Sequence, residues 1–196
     1  MHIVNKKYTG VGKLEVHSLA IPEVKLITPR RFGDERGYFE QTYHQQDYKA
    51  AGIDADFVQD NHSKSVAGVL RGLHYQRNHA QAKLVSVLSG AVFDVAVDLR
   101  QSSSSFGQWV GAELSSKNGH QLFVPAGFAH GFLVLSEEVN FHYKCDAYYA
   151  PGDEVCIRWN DPDLGIDWPL TSKPSLSTKD NLGELLSEIS TEKLFD

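Results

Sequence analysis

An alternation of apolar and polar residues with a period of two runs through the middle of this chain, from residue 57 to residue 159. In the clearest stretch, Phe93, Val95, Val97 and Leu99 share one face of an extended segment. Turn signals rich in glycine, proline, asparagine and serine separate this stretch from others like it. Many short strands at such close spacing predict an antiparallel sandwich or barrel.

The predicted strands cover residues 69–75, 83–88, 92–99, 109–114, 121–124, 131–135, 139–144 and 155–159. Helix formers before Gly52 predict one short helix over residues 45–51. Apolar residues from Leu182 to Ile189 fall at the spacing i, i+3, i+4, i+7. This spacing predicts an amphipathic helix over residues 180–194, packed on the barrel.

The chain has 196 residues, enough for one domain with a sizeable core. We expect residues 1–20 to be an N-terminal extension and residues 21–196 to be a single domain. The net charge is -6 and no block of Lys and Arg occurs, which argues against a nucleic-acid partner.

The two cysteines, Cys145 and Cys156, form no CxxC pair, which favours reduced thiols in a cytosolic protein. No apolar run reaches the length of a membrane span, and the first twenty residues lack the apolar region of a signal peptide. We therefore expect a cytoplasmic protein with no membrane partner.

Residues 71–76 combine Arg71, a fixed positive charge, with His74, which titrates near neutral pH. Lys83 follows just before an apolar run. The ordinary interpretation of this segment is a surface strand with scattered polar residues. A functional site is indicated only if other stretches of the chain supply residues that act together with these.

His130 is a first candidate partner, because it ends a Pro-x-Gly-x-x-His pattern beginning at Pro125. A lone histidine on an apolar face is usually a core residue, but this spacing resembles the second motif of the cupin superfamily of jelly-roll barrels. In metal-binding cupins the first motif supplies two histidines and a glutamate. The matching positions here hold His74, Gln76 and Lys83, and an ammonium in place of a carboxylate makes a poor divalent metal site. We predict a pocket without a metal, the alternative being an adventitious ion between His74 and His130.

Three further residues have both a structural and a functional interpretation. Tyr143 lies on the predicted inner face of its strand, as a core tyrosine or as a cavity phenol. Tyr149 precedes a turn, where it either packs or stacks on a base. Asp180 opens the last predicted helix, as a capping carboxylate or as the acceptor for a histidine N–H.

Three more polar positions are also open. If Asp94 faces the interior, it needs a cationic partner, for which Lys83 or Arg71 is the natural candidate. Arg36 lies at a turn, where a solvated side chain is usual. Residues 59–63 are a polar string, either an ordinary loop or a set of contacts to an oxygen-rich ligand.

Seven distinctive segments follow one another along the chain: DERG at 34–37, FVQDNHS at 57–63, VLRGLHYQ at 69–76, FDVAVDLR at 93–100, PAGFAHGF at 125–132, WNDP at 159–162 and GIDWP at 165–169. Taken in this order, they closely resemble the dTDP-4-dehydrorhamnose 3,5-epimerase family. The resemblance covers about residues 21–180, and the ordered set is far more specific than any one segment.

The resemblance implies a metal-free and cofactor-independent cupin homodimer that acts on dTDP-4-dehydro-6-deoxyglucose, a dTDP-linked 4-keto-6-deoxysugar. It implies that His74 is the base, with Asp180 as its paired carboxylate, and that Tyr143 is the acid that reprotonates the sugar. Lys83 matches the residue beside the developing enolate, and Asp94 matches the acid near it.

The resemblance also implies a set of substrate contacts. The matching positions, with the polar string around them, are Arg36, Gln59, Asp60, Asn61, Arg71, His130, Glu154, Lys179 and Tyr149, the last stacking on thymine. One departure concerns Gln41, where the family usually has a glutamate; an amide still accepts a sugar hydroxyl but lacks the charge. The alternatives are an epimerase of one carbon, a 3,4-ketoisomerase, a non-catalytic nucleotide-sugar-binding cupin and a metal-dependent cupin dioxygenase.

Overall fold

The computed structural model describes residues 8–10 and 14–196 of the chain, and most of its regular structure is antiparallel β-strand. The strands are β1 (Tyr8–Gly10), β2 (Leu14–Ser18), β3 (Lys25–Pro29), β4 (Arg31–Asp34), β5 (Gly37–Glu40), β6 (Gln59–Val66), β7 (Leu70–Gln76), β8 (Lys83–Ser89), β9 (Ala91–Asp98), β10 (Trp109–Ser115), β11 (Gln121–Val124), β12 (Phe128–Val134), β13 (Glu138–Cys145) and β14 (Glu154–Cys156). The helices are α1 (Gln45–Ala50) and α2 (Thr178–Asn181), and single 3-10 turns occupy Leu186–Glu188 and Thr191–Lys193.

Two sheets form the body of the domain. The larger has the strand order β1-β2-β3-β11-β8-β13-β6, and the smaller has the order β10-β9-β12-β7-β14. Side chains from both sheets meet in one core cluster that includes Val85, Leu122, Phe132 and Phe141. Burying each such side chain contributes about 1.5–3 kcal/mol. The predicted all-β jelly-roll barrel is confirmed.

Both sheets are also covered on parts of their outer faces. Tyr48 of α1 and the nearby Ile53 pack on Leu84 and Phe123 of the large sheet. The C-terminal segment supplies Ile189 and other apolar residues to a cluster on the small sheet. The central strand β12 of the small sheet is therefore buried on both faces, and every one of its residues is buried.

The predicted helix over residues 45–51 is confirmed as α1, which ends at Ala50, with Ala51 as its C-cap and Gly52 following at a φ of 84°. β1 and β2 lie in the predicted N-terminal extension and pair with each other, and β2 also pairs with β3 of the predicted domain. Residues 1–7 and 11–13 of that extension lie outside the described residues. A domain boundary at residue 20 stays a prediction.

The predicted amphipathic helix over residues 180–194 is wrong. Only α2 is α-helical there, and Leu182, which that helix would have buried, is 71% exposed. Beyond it the backbone leaves the helical path, because Arg158 donates to the Glu184 carbonyl (2.8 Å) and Glu184 donates to the Cys156 carbonyl (3.1 Å). Gly183 permits this approach, since a Cβ there would lie 2.8 Å from the Arg158 nitrogen. Tertiary pairing thus outweighs the local apolar spacing.

None of the helices in residues 14–196 has the length and apolar content needed to cross a membrane.

Gly72 is held where two strands of the small sheet approach closely, and we predict that Gly72→Ala strongly destabilises the fold. Its φ is 122°, and an added Cβ would lie 2.6 Å from the Gly131 Cα and 2.8 Å from the His130 carbonyl oxygen. Backbone strain of about 1–3 kcal/mol therefore combines with a clash against backbone that has little room to move. Urea unfolding followed by circular dichroism measures the loss of unfolding free energy.

Gly68→Ala is the matched control, because Gly68 also has a positive φ, 73°, but meets no atom within 4 Å. It should cost only the backbone strain, about 1–2 kcal/mol. Equal unfolding midpoints for the two variants would show that the close approach at Gly72 is not a constraint.

Candidate active site

A cavity of about 590 Å³ opens between the two sheets. The large sheet lines it with β6, β8 and β13, and the small sheet lines it with β7, β12 and β14. Most of the predicted site residues border it, namely Gln59, Asn61, Arg71, His74, Lys83, His130, Tyr143, Tyr149, Glu154, Lys179 and Asp180.

His74 forms a short hydrogen bond with Asp180, with 2.6 Å between Nε2 and Oδ1. The hydroxyl of Ser177, the N-cap of α2, donates to the other carboxylate oxygen at 2.7 Å. Burial alone would raise the pKa of Asp180, but the hydrogen bonds from His74 and Ser177 outweigh it and leave that pKa below its ordinary value. Asp180 is therefore an ionised acceptor for the imidazole and not the helix cap itself.

The direction of this bond fixes the state of the ring. An ionised carboxylate only accepts, so Nε2 of His74 carries a proton. In the neutral ring, Nδ1 is then an unprotonated nitrogen, and the nearest carboxylate to it is Glu154 Oε1 at 3.9 Å. His74 is thus arranged as a proton acceptor through Nδ1.

A second histidine–aspartate pair lies beside the first. His130 Nε2 is 2.9 Å and 3.0 Å from the two carboxylate oxygens of Asp94. Asp94 is fully buried and does not border the cavity. Burial raises its pKa, against the opposing effects of His130 and then Lys83. The expectation that Lys83 or Arg71 would be its direct partner is wrong, because β9 and β12 pair side by side and place His130 there.

Lys83 starts β8 and borders the cavity. Within the part of the chain that the structure describes, no side chain forms a hydrogen bond or an ion pair with its ammonium. Burial lowers the pKa of Lys83, while the nearby Cys145, Glu154 and Asp94 oppose that shift. An ammonium without a fixed protein partner is available to a negatively charged oxygen of a ligand.

Tyr143 lies on the inner face of β13, where its ring is 6.0 Å from that of Phe141. Burial, followed by the charges of Cys145 and Glu154, raises the pKa of Tyr143 above its ordinary value. The phenol is therefore protonated at neutral pH and can donate a proton.

The cavity mouth carries charged and aromatic groups. Lys179 and Glu154 form an ion pair of 2.8 Å, and Tyr149 is 53% exposed. The Tyr149 backbone nitrogen donates to the side chain of Gln59 at 2.9 Å. Arg71 donates to Ser65 at 3.0 Å through Nε, which leaves its terminal nitrogens for a ligand.

Four predicted site residues do not border this cavity: Arg36, Gln41, Asp60 and Asp94. Asp94 lies behind His130. Asp60 points outward because β6 alternates, and it pairs with Lys144 at 2.8 Å. Arg36 lies in the turn of the exposed β4–β5 hairpin and pairs with Asp34 of the same turn. The roles predicted for these residues stay predictions.

Two residues with a clear place in the site were missed from the sequence. Ser177 fixes the Asp180 carboxylate, and a Ser three residues before an acid is a usual N-cap signal. The buried Gln76 holds the loop before Tyr149. Its amide donates to the carbonyls of His79 (2.8 Å) and Tyr148 (3.2 Å) and accepts from the Ala150 nitrogen (2.8 Å). Strand alternation places it on the face of His74 and could have identified it.

Cys156 is a further neighbour of the histidine pair. It is the register partner of His74 on β14, and its sulfur lies 4.0 Å from Asp180 Oδ1. Burial, followed by the charge of Asp180, raises the pKa of this thiol to about 12. The sequence predicted only a reduced thiol, because cross-strand pairing is not visible in spacing alone.

Comparison with known proteins gives a consistent family match. Residues 18–188 match the profile of the family described as dTDP-4-dehydrorhamnose 3,5-epimerase. A relative of that name from Pseudomonas aeruginosa is 57% identical over 171 residues, which is 87% of this chain and 94% of the relative.

Two solved structures are informative. The crystal structure of dTDP-6-deoxy-D-glucose-3,5-epimerase from Legionella pneumophila, in complex with dTDP-4-keto-L-rhamnose, is 51% identical. The match covers 93% of this chain and 97% of that chain with a TM-score of 0.91. A 3′-monoepimerase from Streptomyces bikiniensis, in complex with dTDP-quinovose, is 31% identical with a TM-score of 0.81 and 87% coverage of each chain.

The geometry predicts that neutral His74 carries its proton on Nε2 in the ligand-free protein. Asp180→Asn should remove this preference, because an amide is not restricted to accepting hydrogen bonds. Two-dimensional ¹⁵N–¹H NMR of the imidazoles measures the tautomer directly. Ser177→Ala is the control that leaves the carboxylate in place. A wild-type ring protonated on Nδ1 would contradict the assignment.

Proposed function

Because the chain belongs to the dTDP-4-dehydrorhamnose 3,5-epimerase family, we propose that it inverts carbons 3 and 5 of dTDP-4-dehydro-6-deoxyglucose and produces dTDP-4-dehydro-L-rhamnose. The observation that carries this proposal is that His74, Lys83 and Tyr143 border one cavity. These are a base, a cation and an acid, the three groups that an epimerisation next to a ketone requires.

The reaction follows from the position of the ketone. The 4-keto group acidifies the hydrogens on carbons 3 and 5, since both carbons are adjacent to it. His74 takes such a proton on Nδ1, and the electron pair moves into an enolate whose oxygen the Lys83 ammonium stabilises. Tyr143 then donates its phenolic proton to the opposite face of the carbon, which inverts it.

Two carboxylates support the two histidines of the site. Asp180 holds the tautomer of His74 and stabilises the imidazolium that forms when the ring takes a proton. Asp94 does the same for His130, which we propose as a hydrogen-bonding group on the sugar. Each buried carboxylate is thus satisfied by a hydrogen bond from its histidine.

The remaining cavity residues fit a nucleoside diphosphate. Arg71 and Lys179 supply positive charge for the diphosphate. Tyr149 at the mouth offers a ring for stacking on thymine, while Gln59 and Asn61 offer amides for polar ligand atoms. Lys83 occupies the place of a cupin metal ligand, which supports a reaction that needs neither metal nor cofactor.

Single-carbon epimerisation is the second candidate. It is favoured by Gln41, which replaces the usual glutamate, and by the structural similarity to a 3′-monoepimerase. The two candidates share the whole mechanism above and differ only in how many carbons are presented to His74.

Exchange of the substrate in deuterium oxide tests the function. We expect NMR to show deuterium at both carbons 3 and 5 in the presence of the wild-type protein, because each inversion returns a solvent-derived proton. His74→Ala and Tyr143→Phe should lower turnover by about a hundredfold or more, the usual loss for acid–base groups, with unchanged circular dichroism.

Lys144→Ala is the control, since Lys144 is a charged residue of β13 that does not border the cavity; it should retain turnover. Label at one carbon only would favour the monoepimerase. Absence of label at either carbon would refute the enzymatic proposal.

We further propose a homodimer in which the β4–β5 hairpin of one subunit completes the site of the other. Phe32, Tyr38 and Phe39 of this hairpin are 51%, 58% and 68% exposed, an unusual density of uncovered aromatic surface. Arg36 lies in the same hairpin, away from the cavity of its own chain. Insertion of the hairpin at the cavity of the partner subunit would bury these aromatic rings and bring Arg36 to a substrate site.

Subunit complementation tests this arrangement. A heterodimer of Arg36→Ala and His74→Ala chains, purified through two different tags, contains one intact composite site if Arg36 acts in the partner. We expect about half the wild-type turnover per dimer, since a symmetric dimer has two equivalent sites. Turnover no higher than in either parent homodimer would show that Arg36 does not act across the interface.

We propose that the protein works in the cytoplasm, where nucleotide sugars are made. Its two cysteines are both unpaired, which is consistent with a reducing compartment. Fractionation of cells followed by immunoblotting checks this placement.

A further inference from the structure

Three side chains of different chemistry converge beside the cavity: the His74 imidazole, the Cys156 thiol and the Asp180 carboxylate. One potential ligand atom from each lies within 4.8 Å of the other two. His74 and Cys156 are directly opposed on β7 and β14, so their side chains leave the same face of the sheet. Asp180 reaches them from α2. Backbone pairing therefore fixes two of the three groups as neighbours.

We propose that His74, Cys156 and Asp180 bind one thiophilic divalent ion of the Zn²⁺ type, and that the bound ion inhibits the enzyme. The inhibition rests on the function proposed above, whereas the binding does not. This ion is not a cofactor. Its site shares His74 with the usual cupin metal position but uses Cys156 and Asp180 as the other ligands, whereas the cupin position has Lys83 in place of its glutamate here.

The ligand set selects the class of ion. Sulfur and imidazole nitrogen favour Zn²⁺ over Mg²⁺ or Ca²⁺, which prefer oxygen ligands. Three protein ligands and a water are a common tetrahedral arrangement, with metal–ligand distances of about 2.0–2.3 Å. Such distances place the ligand atoms about 3.3–3.8 Å apart.

Of the observed distances between the ligand atoms, one is slightly longer and one is shorter than this range. The Cys156 sulfur is 4.0 Å from Asp180 Oδ1, and the His74 nitrogen is 2.6 Å from the same oxygen. The ion would replace the proton between the imidazole and the carboxylate and separate them by about 0.7 Å. Ser177 already holds the second carboxylate oxygen at 2.7 Å, which supplies the outer hydrogen bond that metal-ligating carboxylates use.

The ion also has a path to the site. His74 and Asp180 border the substrate cavity, and Cys156 borders an adjacent depression together with Glu154 and Lys179. On binding, the sulfur–hydrogen bond breaks, the thiolate binds the ion and the proton leaves to solvent. The site then carries two negative charges from Cys156 and Asp180 against the two positive charges of the ion.

Inhibition follows from the two nitrogens of one imidazole. With the ion on Nε2, the single proton of the neutral ring has to lie on Nδ1. That nitrogen then cannot accept a proton from the sugar. The separation from Asp180 also removes the group that stabilises an imidazolium. A bound ion therefore stops proton abstraction even where the cavity stays open to substrate.

Cobalt absorption tests the binding without any measurement of turnover. We expect Co²⁺ added to the metal-free full-length protein to give a thiolate-to-cobalt charge-transfer band, and Zn²⁺ to abolish it by competition. Cys156→Ala and His74→Ala should lose the band. Cys145→Ala is the matched control, which removes the other thiol and should keep it. A band that survives Cys156→Ala would place the ion elsewhere and overturn the inference.

Measurement of turnover in the presence of Zn²⁺ tests the claim that the bound ion inhibits the enzyme. The concentration that halves turnover should rise about 100-fold or more in Cys156→Ala, because even the loss of an outer-sphere partner costs about 10–100-fold in affinity. A chelator should restore wild-type turnover. Equal sensitivity of the two proteins would refute the inhibitory role, while an absence of turnover together with the cobalt band would refute the proposed function and leave the site standing.

Discussion

Hydrogen bonding of β7 between β12 and β14 is the constraint on which the rest of the site depends. The strand places His74 opposite His130 on one side and opposite Cys156 on the other. The approach to β12 is close enough that neither Gly72 nor Gly131 has room for a side chain. Three potentially reactive groups thus occupy consecutive positions across the small sheet because backbone bonds, and not flexible loops, hold them there.

The electrostatics of the cavity follow from what each charged group can reach. The carboxylates of Asp180 and Asp94 are each bonded to a histidine, whereas the Lys83 ammonium and the Tyr143 phenol have no such partner among the described residues. Burial lowers the pKa of Lys83 and raises the pKa of Tyr143. The protein thereby satisfies its buried anions internally and leaves its proton donor and its cation facing the ligand.

Much of this arrangement could be predicted from the sequence. Alternation located the strands and placed Tyr143 on an inner face, whereas the match to the cupin motifs brought His74, Lys83 and His130 into the same pocket. The C-terminal helix was not predictable from local spacing, because the bridge between Ile157 and Glu184 and the close contact at Gly183 are tertiary effects. His130 was not predicted as the partner of Asp94 because the pairing of β9 with β12 is likewise a tertiary effect.

The position of Asp180 in the chain has a consequence for how the protein matures. The last strand of the two sheets, β14, ends at Cys156, and the Asp180 that orients His74 follows it by 24 residues. During synthesis, a nascent chain that has emerged only as far as β14 already contains all the described strands of both sheets but not yet the Asp180 carboxylate that accepts from the imidazole. The ribosome therefore completes the strands of the barrel before it adds Asp180, the residue that orients the base His74.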